Sequence, residues 1–371
     1  MRIFGDHEAR TIEQLERCVG AAEGSTGVLC ADGHVGYSQP IGGVVAYREH
    51  ISPSGVGYDI GCGNKAVLTN LSRPDVQPDL PRIMDAIFER ISFGVGRNDG
   101  RAGDHAVIDE IRDAAFAPQR ELRELAAKQL GTVGAGNHYV DLFADEQDRV
   151  WVGVHFGSRG FGHKTATMFM PREGGMDAPP TLLAADSELG AGYAEAMKVA
   201  GRYAYAGRDV VCAEVCRILG ADALEEVHNH HNYAWREEHG GEEVWVIRKG
   251  ATPAFPGQRG FVGATMGEPA VILEGVESDT AREALYSTVH GAGRAMSRRQ
   301  AKRHIDFAAI RAELAARGIE LRGGAADEAP GAYKRLDEVL AHHMGTVRVL
   351  HTLRPLGVAM AGANTFDPYK D

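Results

Sequence analysis

The stretch GVGYDIGCGN, residues 55–64, has glycine at four of its ten positions and holds Asp59 and Cys62 between those glycines. Glycine-dense segments weaken packing, and they mark a backbone that turns sharply or is approached closely by another group. Ionised Asp and Cys side chains are metal ligands. For one short motif, a tight turn that buries a small thiol is the simpler interpretation. The rest of the chain therefore has to decide whether this stretch belongs to a metal site.

Histidines elsewhere in the chain supply the further ligands that such a site requires. They stand beside Gly or Asn in four segments: GAGNHYVD, GVHFGSRGFGH, EVHNHHNYA and TVHGAGR. These segments contain Asn137, His138, His155, Arg159, His228, His230, His231, Asn232, His290 and Arg294. Each histidine alone is more simply a hydrogen-bonded core or surface residue. Together with one carboxylate and one thiolate, the set predicts one or two transition-metal ions with open coordination positions.

Composition excludes several classes of protein. The chain of 371 residues is 44% hydrophobic, enough for the core of a globular protein. Its apolar runs are strand-sized and its start is too charged for a signal peptide, so we expect a cytoplasmic protein without a membrane span. Five scattered cysteines predict thiols rather than a disulfide framework. The formal net charge of −11 argues against a protein that coats long nucleic acid, but it leaves room for a local basic site.

The order of predicted elements indicates the fold class. Apolar periodicity predicts helices over 107–130, 190–219 and the residues after Asp279, whereas short β-branched runs predict strands over 41–50, 149–157, 242–251 and 269–275. These elements do not alternate regularly, which favours an α+β fold over a Rossmann or TIM arrangement. No repeat, low-complexity tract or linker interrupts the chain, so we expect a single compact domain over residues 1–371. Cys212 and Cys216, one helical turn apart, are predicted to be packing residues.

The P-loop and the dinucleotide-binding fingerprint are absent from the sequence. The chain contains no G-x-x-x-x-G-K-[ST], and neither GAGNH nor HGAGR completes G-x-G-x-x-G. A basic cluster does follow HGAG, with Arg294, Arg298, Arg299, Lys302 and Arg303. It is either a solvated helix face or a set of guanidinium forks that bind phosphates.

The ordered motifs resemble those of the RtcB-type RNA-splicing ligases over nearly the whole chain. The segments that carry the resemblance are PIGGVVA, GVGYDIGCG, GAGNH, GSRGFGH, HHNYA, RKGATPA, HGAGR and EAPGAYK. The resemblance implies a single α+β domain with mixed and antiparallel sheets surrounded by helices. It further implies GTP and two Mn²⁺ ions as cofactors. The implied reaction joins an RNA 3′-phosphate or 2′,3′-cyclic phosphate end to a 5′-hydroxyl end.

The resemblance also assigns roles to single residues of this sequence. The metal ligands that it implies are Asp59, Cys62, His138, His155 and His231, with the thiolate bridging two ions. His290 is similar to the histidine that attacks the α-phosphate of GTP and carries GMP as a phosphoramidate. The nucleotide contacts that it implies are Asn137, Asp141, Ala292, Gly293, Arg294, Tyr333 and Lys370. Arg159 and Arg298 are similar to residues that bind substrate phosphates.

The sequence departs from the family pattern at three places. Asp141 stands where the family has a glutamate that reads guanine, which puts strict guanine preference in doubt. The stretch TMGEPAVIL carries Thr265 and has no serine before Val271, so a contact to a nucleotide hydroxyl is missing from the pattern. The tail DPYKD keeps Lys370 in the penultimate position but differs in its last residue. A shorter, divergent paralogue with a substrate other than a tRNA half fits these departures.

Two other functions use the same residues. A metal-dependent phosphodiesterase or phosphatase would need the ions and arginines but no covalent nucleotide, and a non-catalytic RNA-end binder would keep the fold without turnover. His290 argues against both, because a hydrolase that uses metal-bound water needs no further glycine-flanked histidine. Soft Cys and His donors favour zinc over manganese by raw affinity. The resemblance also suggests an archease-like activating protein as a partner, and we expect a monomer.

Overall fold

Strands and helices are interspersed along the chain, and most strands assemble into two large sheets with helices around them. The computed structural model describes residues 1–94, 104–170, 175–363 and 365. Along these residues the strands, in chain order, are β1 (Arg2–Ile3), β2 (Thr26–His34), β3 (Ile41–Tyr47), β4 (His50–Ile51), β5 (Gly63–Ser72), β6 (Ser92–Phe93), β7 (Thr132–Gly134), β8 (Tyr139–Ala144), β9 (Arg149–Phe156), β10 (Leu183–Ala184), β11 (Ala223–His230), β12 (Asn232–His239), β13 (Glu242–Lys249), β14 (Ala251–Pro253), β15 (Arg259–Val262), β16 (Ala270–Gly275), β17 (Ser287–Val289), β18 (Glu320–Gly324) and β19 (Val347–Gly362).

Most helices are short, and one is long. In chain order the helices of the described residues are α1 (Ala9–Val19), α2 (Pro53–Val56), α3 (Arg73–Val76), α4 (Leu80–Arg90), α5 (Ala106–Arg112), α6 (Ala117–Arg120), α7 (Arg123–Gln129), α8 (Arg159–Thr167), α9 (Glu188–Leu219), α10 (Asp279–Glu283), α11 (Arg298–His304), α12 (Phe307–Ala316) and α13 (Leu336–Ala341). Among them, no helix has the length and apolar composition needed to cross a membrane.

The two large sheets have mixed strand directions. The larger, eight-stranded sheet runs in the order β11-β5-β9-β8-β19-β16-β15, with β18 paired to β19. The smaller, five-stranded sheet runs in the order β1-β2-β3-β13-β12. The pairs β4/β10, β6/β7 and β14/β17 form separate two-stranded sheets. The pairs β1/β2, β6/β7 and β18/β19 are parallel, and the other neighbours are antiparallel. The predicted α+β fold with mixed and antiparallel sheets surrounded by helices is confirmed.

The predicted strands are all present. The run 41–50 forms β3 and the start of β4, 149–157 forms β9, 242–251 forms β13 and the start of β14, and 269–275 forms β16. The five cysteines are free thiols, as predicted.

Helix α9 confirms the helix predicted over 190–219 and connects the two sheets. It begins at Ser187, whose side chain accepts a hydrogen bond from the backbone of Gly190, and it ends at Gly220, which has a φ of 63°. Its first half packs into the core beside the smaller sheet, and its second half packs against the larger sheet. Cys212 is buried and Cys216 is partly buried in that second contact, which confirms their predicted packing role.

Two helix predictions are wrong in extent. Residues 107–130 form α5, α6 and α7 rather than one helix, and Pro118 lies in the first turn of α6, where its missing N–H is tolerated. The helix predicted after Asp279 is the short α10, which is followed by β17 before α11 and α12 form. Helix α10 stops because Leu285 and Tyr286 adopt φ values of 51° and 44°, which a right-handed helix cannot contain.

Candidate active site

Three strands of the larger sheet meet at one point near the glycine-rich stretch at residues 55–64. Gly63, the first residue of β5, pairs with His230 in β11 on one side and with Phe156 in β9 on the other. The neighbours of these three residues in the chain are predicted metal ligands, namely Cys62, His231 and His155. Antiparallel pairing therefore brings together ligands that are far apart in the sequence.

Several positions at this site must be glycine because neighbouring groups lie very close to the backbone. A Cβ on Gly63 would lie 2.1 Å from the carbonyl oxygen of Asn229, and Gly61 has a φ of 70°. Across the site, a Cβ on Gly157 would lie 2.2 Å from Oδ1 of Asp59. Side chains at these positions would displace the strands or the acid. The dense glycine in GVGYDIGCGN thus marks a backbone that other groups approach closely.

Cys62, His155 and His231 form the first group of potential metal ligands. One ligand atom from each lies within 4.8 Å of the others. Sγ of Cys62 lies 3.8 Å from Nε2 of His155. The rings of His155 and His231 stack with centroids 5.1 Å apart. All three side chains are buried.

Asp59, Cys62 and His138 form the second group, and Cys62 is common to both. Nε2 of His138 lies 3.3 Å from Oδ2 of Asp59 and 3.8 Å from Sγ of Cys62. His138 directly precedes β8, which pairs with β9 through Tyr139 and His155. The structure therefore brings all five predicted metal ligands to one place, around one sulfur atom.

Hydrogen bonds orient two of the imidazoles. Nδ1–H of His155 donates to Oδ1 of Asn64 (2.6 Å), and Nδ1–H of His138 donates to the carbonyl oxygen of Val133 (2.9 Å). Each bond leaves Nε2 facing the sulfur as a possible ligand atom. Nδ1 of His231 is buried without a hydrogen-bond partner.

Burial sets the charge of these groups. Burial first, and neighbouring cationic groups second, lower the pKa values of His155 and His231 well below their ordinary value, so both imidazoles are neutral, as metal ligands must be. Burial would raise the pKa of Asp59, but hydrogen bonding and charge interaction with His138 and the charge of Arg159 lower it to about 2. Burial and Asp59 raise the pKa of the Cys62 thiol well above its ordinary value. A bound cation acts in the opposite direction and favours the thiolate.

The donor set fits two metal ions. It contains one shared sulfur, one carboxylate, two imidazoles held by hydrogen bonds and one buried, unpaired imidazole nitrogen. Ions bound there would neutralise phosphate oxygens and polarise a phosphoryl group.

His290 lies beside the first group and is held by an acid. Oδ2 of Asp32 accepts hydrogen bonds from the backbone N–H (2.9 Å) and from Nδ1–H (2.6 Å) of His290. The rings of His290 and His231 meet edge to face with centroids 4.9 Å apart. The contact with Asp32 engages Nδ1, so Nε2 is the ring nitrogen of His290 that is left for a ligand.

Asp32 is a site residue that the sequence reasoning missed. It is fully buried near the end of β2, and burial would raise its pKa, but the charge and hydrogen bonds of His290 hold that pKa below its ordinary value. The available signal was an acid inside the apolar strand sequence TGVLCADGH, because a buried carboxylate needs a partner.

The loop after His290 contains three of the predicted nucleotide contacts and touches a fourth. Ala292 and Gly293 are buried, and a Cβ on Gly293 would lie 2.1 Å from the backbone oxygen of Asp32. Arg294 donates from Nη1 to Oη of Tyr333 (2.8 Å), and its guanidinium lies 4.8 Å from the centroid of that ring. The predicted nucleotide contacts Ala292, Gly293, Arg294 and Tyr333 are therefore adjacent to the candidate nucleophile.

The two arginines predicted to bind phosphates have different surroundings. Arg159 begins α8 with a φ of 54°, its Nη1 lies 3.2 Å from Nδ1 of His138, and its Nε is buried without a partner. Arg298 is instead ion-paired to Glu328, and its Nη1 lies 3.4 Å from Oδ2 of Asp327. Arg159 thus lies at the metal groups, whereas Arg298 is engaged with buried acids.

The remaining predicted nucleotide contacts are spread more widely. Asn137 is exposed in the turn before His138. Asp141 is buried in β8 with an unpaired Oδ1, and burial raises its pKa well above the ordinary value, which favours the neutral carboxyl. Thr265 likewise has a buried, unpaired hydroxyl. Lys370 lies outside the described residues.

Arg208, on α9, is a second residue that sequence reasoning missed. Its side chain is fully buried, and Nη1 donates to the backbone oxygens of Gly61 (3.0 Å) and Phe156 (2.5 Å). Nη2 lies 3.0 Å from Nδ1 of His230. Gly61, Phe156 and His230 directly precede or follow the three ligands of the first group. One guanidinium therefore contacts the backbone next to Cys62 and His155 and the side chain next to His231.

We expect Arg208→Met to weaken metal binding by about 10- to 100-fold, the usual effect of removing a group that orients ligands. The measurement is a Co²⁺ titration that follows the thiolate-to-cobalt absorption, with thermal unfolding recorded in parallel. Arg248→Met is the matched control, because Arg248 is also fully buried but pairs with Glu237, away from the ligand group. Loss of stability without loss of Co²⁺ affinity in Arg208→Met would show that this arginine only supports packing.

The fold and the site together define a candidate metalloprotein with two ligand groups on one thiol and a carboxylate-held histidine beside them. The chain belongs to the RtcB family, because the sequence model of that family, described as "tRNA-splicing ligase RtcB", matches residues 14–361. The tRNA-splicing ligase RtcB of Thermococcus kodakarensis is 34% identical over 420 residues, which cover 90% of this chain and 87% of that protein. The RNA-splicing ligase RtcB of Escherichia coli is 34% identical over 361 residues, which cover 87% of both chains. The RNA-splicing ligase RtcB of Mycobacterium tuberculosis is 34% identical over 413 residues, covering 88% of this chain and 94% of that protein. The resemblance found in the sequence is confirmed.

Proposed function

We propose that this chain is a GTP- and Mn²⁺-dependent RNA ligase that joins 3′-phosphate or 2′,3′-cyclic phosphate ends to 5′-hydroxyl ends. Membership of the RtcB family supports an RNA ligase. One observation supports the finer chemistry: His290 is held through Nδ1 by Asp32 while its ring contacts His231 of the metal group. A histidine in that position is oriented to act on a phosphate held at the metal groups.

His290 serves as the nucleophile in this proposal. Its Nε2 attacks the α-phosphorus of GTP, the new N–P bond forms, and pyrophosphate leaves, so that GMP is carried as a phosphoramidate. The RNA 3′-phosphate then accepts GMP as a phosphoanhydride, and the 5′-hydroxyl displaces GMP to form the joining phosphodiester. Asp32 holds the ring in the tautomer that has its proton on Nδ1, and it stabilises positive charge on the ring during attack.

The loop after His290 binds the nucleotide phosphates in this proposal. Gly293 lets this loop pack closely on the backbone of Asp32, and Arg294 binds a phosphate by exchanging its contact with Glu328. Arg159 contacts the RNA phosphate, because it lies beside His138. Arg298 serves a phosphate by exchanging its contact with Glu328. The proposal also includes two Mn²⁺ ions, Lys370 as a guanine contact and a single domain over residues 1–371. It further includes a monomeric state and an archease-like activating protein.

Incubation with α-labelled GTP and Mn²⁺, followed by denaturing electrophoresis, tests this function. A covalent label on the chain is the expected result. A phosphodiesterase or phosphatase, and equally a non-catalytic RNA-end binder, would leave the protein unlabelled. Ligation of RNA with a 3′-phosphate to RNA with a 5′-hydroxyl, scored on the same gel, then tests the complete reaction.

We expect weaker discrimination between GTP and ATP than a glutamate-bearing relative shows. Asp141 is one methylene shorter than glutamate, and its Oδ1 is buried without a partner. A lost base contact is worth roughly 1–3 kcal/mol, or about one to two decades of selectivity. Adduct yields with GTP, ATP and ITP measure the effect, and Asp141→Glu should restore part of the discrimination. Strict use of GTP by the parent protein would mean that another residue reads the base.

A further inference from the structure

Tyr58 is a large aromatic side chain that the proposed chemistry does not use. It stands between Gly57 and the metal-ligand candidate Asp59, and it is 38% exposed. Exposed tyrosine beside a polar site is typical of surfaces that bind partly apolar ligands. Because Asp59 is the next residue in the chain, Tyr58 lies at the edge of the ligand group.

A second ring supports Tyr58 from one side. Its ring stacks on that of His163, with centroids 4.9 Å apart and planes inclined by 19°. Near-parallel stacking of this kind fixes the orientation of the tyrosine ring. A ring held in this way loses little conformational entropy when a flat ligand stacks on it.

The stacked pair is linked through α8 to Arg159, the proposed phosphate contact. His163 follows Arg159 by four residues in α8, which is about 6 Å along the helix axis. Arg159 contacts His138 of the metal group at the start of that helix. The arginine next to the metal group and the histidine that backs Tyr58 therefore belong to the same short helix.

We propose that Tyr58, backed by His163, is a stacking platform for the base of the RNA nucleotide whose terminal 3′-phosphate lies at Arg159. The inference rests on the proposed RNA ligase function and adds a base subsite to it. Stacking accepts any base, because every base has a π-face. The platform thus places the RNA end without reading its sequence, while Arg159 holds the phosphate.

The first test compares RNA whose 3′-phosphorylated nucleotide carries a base with the same RNA made abasic there. We expect Tyr58→Ala to raise KM for the normal RNA about 10-fold, and Tyr58→Phe to stay near the parent. On abasic RNA, parent and Tyr58→Ala should have equal KM. Phe88→Ala is the matched control for loss of an exposed, stacked ring, because Phe88 is equally exposed at 38% and stacks on Phe93. Equal loss by Tyr58→Ala on both RNAs, or no loss on either, would overturn the platform.

A second readout does not depend on turnover. RNA with 2-aminopurine at the 3′-phosphorylated nucleotide should lose fluorescence on binding to the parent and to Tyr58→Phe, but not on binding to Tyr58→Ala. Undiminished quenching by Tyr58→Ala would contradict the proposal. Failure of the proposed function would look different, because the parent itself would then form no GMP adduct. Effects on RNA are compared with the adduct yield of the same variant.

Discussion

His290→Ala should retain its metal ions and still bind GTP, yet form no covalent GMP. The expected loss of adduct is about 10³-fold or more, because removing a nucleophile removes the step itself. The ring of His290 is 4.9 Å from that of His231, but its Nδ1 contacts Asp32. Metal content by mass spectrometry, GTP binding by calorimetry and labelled adduct on a gel together make the measurement.

His231→Ala is the control that separates ligand from nucleophile. This variant should lose metal first and adduct only as a consequence. The adduct of the parent should be labile in acid and durable in alkali, as a phosphoramidate is. Asp32→Asn should lower the rate of adduct formation rather than abolish it, because it disturbs only the orientation of His290. Adduct that persists in His290→Ala, or maps to a lysine, would disprove the mechanism.

Cys62→Ala should fold but lose most of its bound metal and all nucleotidyl transfer. Its sulfur belongs to both ligand groups, so one substitution disrupts both sites. His138→Ala should show a similar loss, since His138 lies 3.3 Å from Asp59 and 3.8 Å from the shared sulfur. Metal per chain and adduct yield are the two quantities to measure.

Cys212→Ala is the matched control for loss of a buried thiol. Cys212 lies on α9 and packs in the core against the larger sheet, away from the ligand groups. It should lose some thermal stability and keep its metal. If Cys62→Ala bound metal and transferred GMP like the parent, the loop at residues 55–64 would be a tight turn and nothing more.

The sequence allowed four strands, and the residues that meet around Cys62, to be predicted, because both leave local signals. Short β-branched runs marked β3, β9, β13 and β16, and glycine beside His, Cys or Asp marked the loops that meet at Cys62. Periodicity was less informative for residues 107–130, where apolar spacing continued through breaks that Pro118 and the local turns impose.

Long-range partners left no such signal. Arg298 looks like a free phosphate ligand in the sequence, whereas in the structure it pairs with Glu328, 30 positions away. Asp32 and Arg208 each act on residues more than a hundred positions distant. Which buried charge meets which partner depends on strand register and helix packing, and these are fixed by tertiary structure alone.

The pairing of Gly63 with both of its neighbouring strands also orders events during synthesis of the chain. Cys62 and His155 can meet once β5 and β9 pair, but His231 joins them only after β11 has been made and added to the edge of the sheet. The contact between Gly61 and His230 closes a loop of 169 positions. Because such loops close late, the emerging polypeptide holds an incomplete ligand cluster until His231, well past its midpoint, has been made and has joined the sheet.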